Sequence, residues 1–297
     1  MGTEIAIHTR ALRKSYGDVD AVAGVDLDVA CVVSYALLGP NGAGKTTTTE
    51  ILEGYRDRSS GEASVLGVDP GRRPRAWRAQ LGIVLQTSRD LADLTVVEAV
   101  QHFAGYFADP RDPDEVIEAV GLTDKRSSRT TNLSGGQRRR LDVALGIVGR
   151  PRVLFLDEPT TGFDPEARRQ FWELIDALKV VGTTIMLTTH YLEEAEALAD
   201  RVAIISHGRV LACDAPHRLG DRHTAPAIVA WRGIDGTQRE ETRTPTQTVA
   251  RLASEFDGEI PELTVTRPNL EDTYLAMLHA EEAAQAAGVA HERGLLG

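Results

Sequence analysis

A glycine-rich loop near the start of the chain places the strongest limit on its fold. Residues 39–46 read GPNGAGKT and match the pattern G-x-x-x-x-G-K-[ST]. The apolar run Tyr35–Leu38 before the loop has the length of a strand, and Thr47–Leu52 after it begins a helical pattern. A strand, a phosphate-binding loop and a helix in this order predict a nucleotide-binding domain of the α/β class.

The residue types in the loop explain what it would bind. Glycines let the backbone turn tightly, so that successive N–H groups point at phosphate oxygens, and the helix N-terminus adds positive potential. Lys45, one of only four lysines in the chain, would reach the β- and γ-phosphates, and the Thr46 hydroxyl would ligate Mg²⁺. The expected ligands are therefore ATP and Mg²⁺, with loop contacts from Gly39, Pro40, Asn41, Gly42, Ala43, Gly44, Lys45, Thr46 and Thr47.

Two acidic residues follow a short apolar run later in the chain. Val153–Leu156 reads VLFL and is followed by Asp157 and Glu158. In an open parallel sheet the carboxyl ends of the strands form the ligand crevice, where the phosphate loop also lies. We expect Asp157 to complete the Mg²⁺ shell through water and Glu158 to polarise the attacking water. Alone, the pair could be two solvated loop acids, but the phosphate loop favours the catalytic interpretation.

Runs of strand length alternate with helical patterns from about residue 3 to residue 213, which predicts an α/β fold with a mainly parallel sheet. Strand signals disappear between about residues 90 and 140, where helical stretches such as Val96–Phe107 and Pro113–Val120 predict a helical insertion. We predict a main domain at 4–220, a small α+β domain at 221–280 and a flexible tail at 281–297. No internal repeat is visible, so the chain carries one such unit.

Composition excludes several classes of function. The net charge is −11, with 44 acidic against 33 basic residues, so nucleic acid is not an expected partner. Cys31 and Cys213 lie far apart without metal-ligand spacing, as expected for unpaired thiols. No window approaches the roughly 18–20 apolar residues of a membrane span, and the N-terminus does not read as a secretory signal. Any membrane role would therefore be performed from the cytosol through a partner.

A pentapeptide between these motifs makes a family resemblance visible. Residues 133–137 read LSGGQ, and with the loop before them and the acidic pair after them they resemble the signature of ABC ATPases. The resemblance covers about residues 4–220. It implies a P-loop NTPase of the ABC type, with a mostly parallel core, an antiparallel β subdomain and a helical subdomain. It also implies that two ATPase subunits are needed, because each chain has one set of motifs.

The resemblance assigns further residues within one subunit. Tyr16 looks like the aromatic residue that stacks on adenine. Gln86 resembles the glutamine that touches Mg²⁺ and senses the helical insertion, where the membrane partner docks. His190 resembles the switch histidine that holds the γ-phosphate and the attacking water. Together with Lys45 and Glu158, His190 makes up the expected catalytic set.

Other residues would act on the nucleotide held by the second subunit. Ser134, Gly135, Gly136 and Gln137 resemble the signature residues that contact its γ-phosphate. The segment Thr161–Asp164 resembles the loop that aligns the two active sites, and Asp164 is expected to lie near ATP. ATP would therefore complete the interface, and hydrolysis would release it.

Residues near the end of the chain indicate which branch of the family the chain resembles. Residues 268–278 read PNLEDTYLAML, which is similar to ATPase subunits of bacterial multidrug and antibiotic exporters of the daunorubicin-resistance type. In that branch the permease is a separate membrane protein, which implies a peripheral position on the cytoplasmic face of the membrane and export of a drug, antibiotic or lipid. The alternatives are an importer subunit, a soluble ABC ATPase and a binding-only regulatory subunit. The presence of Lys45, Glu158 and His190 argues against the last of these.

One departure from the branch lies before the phosphate loop. A Gly-Glu turn is usual where this chain has Val32 and Val33. Because β-branched residues resist the positive φ that such turns favour, we expect this connection to be distorted or joined differently.

Overall fold

The computed structural model describes residues 4–84, 94–222, 224–234, 236–256 and 258–294. The chain divides into two units, Met1–Cys213 and Asp214–Gly297. Across the described residues, none of the helices combines the length and the apolar character needed to cross a membrane. The strands up to the end of the first unit are, in chain order, β1 (Ile5–Tyr16), β2 (Val19–Ala30), β3 (Ser34–Leu38), β4 (Ser60–Val65), β5 (Leu81–Val84), β6 (Val153–Asp157), β7 (Thr184–Thr189), β8 (Arg201–Ser206) and β9 (Arg209–Asp214).

The first unit contains two described sheets. The larger has the order β5-β6-β7-β3-β8-β9, and the pairs from β5 to β8 are parallel. The smaller has the order β2-β1-β4 and is antiparallel. The α/β class, the mainly parallel core and the antiparallel subdomain are therefore confirmed. The helices of this unit are α1 (Lys45–Leu52), α2 (Arg75–Arg78), α3 (Val96–Ala104), α4 (Pro113–Ala119), α5 (Gly135–Ile147), α6 (Pro165–Val180) and α7 (Leu192–Leu198).

The central strands are buried along nearly their whole length because both of their faces are covered. Every residue of β3 is buried, and the VLFL run of β6 is fully buried as well. A strand with one solvated face would alternate apolar and polar residues. The order β6-β7-β3 also brings the ends of three strands side by side, which places the segments that follow them along one edge of the sheet.

The helices begin where the sequence supplies capping side chains. Thr95 and Glu98 form a reciprocal capping box at α3, and Asp112 caps α4, which starts at Pro113. Such side chains accept hydrogen bonds from the N–H groups that a helix leaves unpaired at its first turn. Helices α3, α4 and α5 contact one another and occupy the segment for which a helical insertion is predicted.

The second unit is an antiparallel sheet with helices. Its elements are β10 (Ala227–Gly233), β11 (Gly236–Thr242), α8 (Pro245–Glu255), β12 (Thr264–Thr266) and α9 (Leu270–Gly294). The sheet has the order β11-β10-β12. Val229 and Trp231 on one face of β10 pack with Leu252 of α8 in a small core. Helix α9 continues to Gly294.

The connection between β2 and β3 differs from the sequence-based expectation. Distortion is expected because valines replace a Gly-Glu turn, but the chain makes a tight turn at Cys31 and Val32. Val32 takes a φ of 60°, and its N–H donates to Thr184 Oγ1 at 2.9 Å. The expectation is wrong because the chain keeps a tight turn, with the backbone of Val32 held at a positive φ that is unfavourable for a β-branched residue.

Replacing Val32 with glycine is expected to stabilise the protein. Relief of a strained φ contributes about 1–3 kcal/mol, and the added freedom of the unfolded chain costs about 0.5–1 kcal/mol. Because Val32 is 49% exposed, little apolar burial is lost, so the free energy of unfolding should rise by about 1 kcal/mol. Urea denaturation measures it, with Val33→Gly as the control. Val33 packs against the core, so this control should lose stability. Equal losses in the two variants would contradict the assignment of strain to Val32.

Candidate active site

The loop between β3 and α1 passes through places where only glycine fits. A Cβ atom on Gly39 would lie 2.2 Å from the carbonyl oxygen of Ile205, and one on Gly44 would lie 2.3 Å from that of Ala21. Gly44 also has a φ of 99° where it caps α1, a conformation that glycine adopts without steric cost. The loop is thus packed tightly against neighbouring backbone and leaves the N-terminus of α1 facing the space where a phosphate would bind.

Lys45 lies inside this loop. Its Nζ donates to the carbonyl oxygens of Gly39 at 2.7 Å and Pro40 at 3.0 Å, and the residue is 6% exposed. Burial lowers the pKa of the ammonium group, and the nearby carboxylates of Glu158 and Asp157 act in the opposite direction. The ammonium group is therefore already in the loop, held by two carbonyl oxygens that phosphate oxygens could replace.

The acidic pair is positioned by a threonine that sequence reasoning missed. Thr188 of β7 lies in register with Asp157 of β6, and its hydroxyl donates to Asp157 Oδ1. The N–H of Glu158 donates to the carbonyl oxygen of Thr188 at 3.1 Å. The signal in the sequence is the polar end of an otherwise apolar strand, in the segment LTTH. Its contact with Asp157 depends on the register between strands that are distant in sequence.

Glu158 and His190 form a direct pair. His190 Nδ1 lies 2.9 Å from Glu158 Oε1. Because an ionised carboxylate only accepts hydrogen bonds, Nδ1 is the donor and Nε2 is left for another partner. Glu158 has a φ of 46°, which is strained for a residue with a side chain. The structure thus brings Lys45, Asp157, Glu158 and His190 together from three separate motifs.

The signature residues form the N-terminus of α5. Ser134 caps the helix, accepting from the N–H of Gln137 at 3.3 Å, and the Gln137 side chain accepts from the N–H of Ser134 at 3.0 Å. This capping box leaves Ser134 and Gly135 exposed, whereas Gly136 is partly buried. Gly135 also lines a cleft together with Glu158 and the loop residues Thr161 and Gly162.

Three further residues predicted for the site are Asp164, Tyr16 and Gln86. Asp164 caps α6, accepting from the N–H of Ala167 at 2.7 Å. Tyr16 ends β1 and is 44% exposed. The Lys14 ammonium lies 5.1 Å and the Arg56 guanidinium 5.4 Å from the centre of its ring, contacts typical of cation–π interactions. Sequence reasoning missed Arg56. Gln86 lies outside the described residues.

Comparison with known proteins identifies the family. The sequence profile of the family described as ABC transporter matches residues 22–161. The chain is 36% identical over 307 residues to the daunorubicin resistance ATP-binding protein DrrA2 of Streptomyces coeruleorubidus, with 92% of this chain and 94% of the relative covered. It is 36% identical over 298 residues to the Nod factor export ATP-binding protein I of Rhizobium meliloti strain 1021, covering 93% of this chain and 89% of the relative.

Solved structures agree with this assignment. The structure of an ATP-binding subunit of an ABC transporter superposes with a TM-score of 0.65 at 26% identity, covering 71% of this chain and 90% of that one. The fold, the order of the motifs and the relatives along most of the chain therefore lead to one conclusion. The chain belongs to the ATP-binding subunits of ABC transporters, and it hydrolyses ATP.

Proposed function

We propose that the chain is the motor subunit of an exporter, and that two copies clamp two ATP molecules between them. The observation that carries the proposal is the exposed signature end of α5, where Ser134 and Gly135 are accessible. A helix N-terminus with free N–H groups attracts anions. The chain's own phosphate loop and Lys45 would form one phosphate site, so the second site suits a nucleotide held by another chain.

The described side chains suggest how hydrolysis would proceed. Lys45 would exchange its two carbonyl partners for phosphate oxygens of ATP. Glu158 would polarise the attacking water as general base, and His190, oriented by its Nδ1 contact with Glu158, would present Nε2 to the γ-phosphate or the water. The signature of the second chain would bind the same γ-phosphate from the other side. Release of the γ-phosphate would then remove the contacts that both chains make with it.

Mg²⁺ fits the residues that are present. Among the residues that the structure describes, no three His, Cys, Asp or Glu side chains are grouped so that they could hold a metal ion. Mg²⁺ is commonly bound by one or two protein oxygens together with substrate phosphates. The exposed Thr46 hydroxyl and the Asp157 carboxylate could supply such oxygens. Gln86 is proposed as a third contact. Bound Mg²⁺ would neutralise negative charge on the β- and γ-phosphates.

The extent of the similarity favours an exporter over an importer subunit or a soluble ABC ATPase. The two relatives named for daunorubicin resistance and Nod factor export cover 92% and 93% of this chain. The similarity to these relatives therefore includes most of the second unit as well as the first unit. We propose that the chain acts at the cytoplasmic face of the membrane with a separate permease, exporting a drug, antibiotic or lipid.

Arginine in place of Ser134 tests the shared site. The bulky side chain should block the nucleotide of the second chain and lower hydrolysis by at least about tenfold. Binding of ATP to the chain's own loop should be retained, because loss of the cap costs only about 1 kcal/mol. Steady-state hydrolysis and equilibrium ATP binding separate these effects. Ser127→Arg, which alters another exposed serine of the same subdomain, is the control. Parental hydrolysis by the Ser134→Arg variant would show that each chain completes its own site.

A further inference from the structure

A buried arginine connects the signature helix to the catalytic loop. Arg139 lies in the second turn of α5 and is 8% exposed. Its Nη2 donates to the carbonyl oxygen of Asp157 at 2.5 Å, and its Nε donates to that of Pro159 at 3.2 Å. These two carbonyl groups lie immediately before and after Glu158. The planar guanidinium group therefore holds the backbone on both sides of the proposed general base.

The surroundings of Arg139 explain why a cation is stable there. Burial lowers the pKa of the guanidinium group, and four carboxylates act in the opposite direction. Two of them, Asp157 and Glu158, belong to the acidic pair, and Glu194 lies on α7, the helix that follows His190. Glu194 is itself 1% exposed, and burial raises the pKa of its carboxyl group. Arg139 thus supplies positive charge between the signature helix, the acidic pair and the helix after the switch histidine.

The backbone of Glu158 needs such support. Its φ of 46° is a conformation that persists only where surrounding contacts impose it. The N–H of Glu158 is fixed by Thr188, and Arg139 fixes the carbonyl groups on both sides. A shift of α5 would therefore move the two donors that help to hold this conformation. The neighbouring Arg138 donates through Nη2 to the carbonyl oxygen of Thr130 within the helical subdomain.

We propose that Arg139 is a positioning residue that couples the signature end of α5 to Glu158. On this account, which rests on the proposed two-chain function, a nucleotide of the second chain engages Ser134 and Gly135 and fixes α5. Arg139, one turn further along, then holds the Glu158 backbone in the geometry needed to activate water. The Arg139 side chain would thereby link the association of the two chains around ATP to the hydrolysis of ATP.

Two substitutions in the full chain test this role. Arg139→Lys keeps the charge, but its single nitrogen cannot reproduce the two separate, coplanar donors with which the guanidinium group reaches the carbonyl groups of Asp157 and Pro159. Arg139→Gln also removes the charge. We expect the kcat for hydrolysis to fall by about tenfold or more in the lysine variant and further in the glutamine variant, since small displacements of a catalytic group have large effects on rate. The KM and equilibrium affinity for ATP should change less than about twofold, because the phosphate loop is untouched.

The control is Arg58→Lys, which breaks a comparable two-point contact, with Asp69, away from the acidic pair. It should lose stability without a change in kcat. ATP-dependent association should also persist when Arg139→Lys is combined with Glu158→Gln, since both phosphate contacts remain. A parental kcat in Arg139→Lys, or equal losses of kcat and ATP affinity, would overturn the coupling role. Failure of Glu158→Gln alone to associate would instead count against the two-chain function.

Discussion

Glutamine in place of Glu158 is expected to lower the kcat for ATP hydrolysis by about 10²–10⁴-fold, the usual contribution of a general base. The amide has nearly the same shape and can still accept a hydrogen bond from His190 Nδ1, so the local geometry should survive. It cannot take a proton from water, so the chemical step should fail. The affinity for ATP should stay close to that of the parent protein, because Lys45 and the phosphate loop are unchanged.

Steady-state hydrolysis together with equilibrium nucleotide binding measures this effect. Glu193→Gln is the matched control, because Glu193 carries an exposed carboxylate that pairs with Arg168 at 3.2 Å. The control should hydrolyse ATP at the parental rate. Hydrolysis by Glu158→Gln within about tenfold of the parent would assign the general base to another group.

The second large effect is expected from Lys45→Ala. Hydrogen bonds to charged groups contribute about 1.5–3 kcal/mol each, and Lys45 would make them to two phosphates. The Kd for ATP should therefore increase by about 100-fold or more. The fold should persist, because the removed ammonium group binds only the carbonyl oxygens of Gly39 and Pro40 among its described hydrogen-bond partners.

Titration with a fluorescent ATP analogue measures the change in affinity. Lys125→Ala, which removes an exposed lysine of the helical subdomain, is the control and should bind as the parent does. If the Lys45→Ala variant bound ATP with parental affinity, the loop would not be the nucleotide-binding site.

Local sequence patterns were sufficient for the parts of the site that are continuous in the chain. The phosphate loop is specified by glycines at crowded positions and by a lysine at fixed spacing, so GPNGAGKT could be interpreted directly. The acidic pair follows from its place after a buried strand. The capping box at α5 is also a local pattern, in which Ser134 and Gln137 are three residues apart.

Contacts across the fold could not be predicted in this way. Thr188 reaches Asp157 only because β6 and β7 pair in one register, and Arg139 reaches the residues around Glu158 only because α5 packs beside that strand end. A run of three arginines gives no sign of which one is buried. These residues become recognisable only when elements distant in sequence lie side by side.

Backbone strain also could not be predicted from the sequence. Two valines before β3 predict a distorted connection, but the chain keeps a tight turn and places Val32 at a φ of 60°. Glu158 likewise adopts a positive φ that no propensity would favour. In both cases tertiary contacts impose the local conformation, and at Glu158 the strained residue is the proposed general base.

The most direct test of the two-chain account is the association of the purified Glu158→Gln chain, measured by size-exclusion chromatography with light scattering. Without hydrolysis, ATP and both of its phosphate contacts remain in place, so the closed pair should accumulate. The account predicts a monomer without nucleotide and a dimer with ATP and Mg²⁺. A monomer in saturating ATP, in a protein shown by titration to bind ATP, would contradict the account.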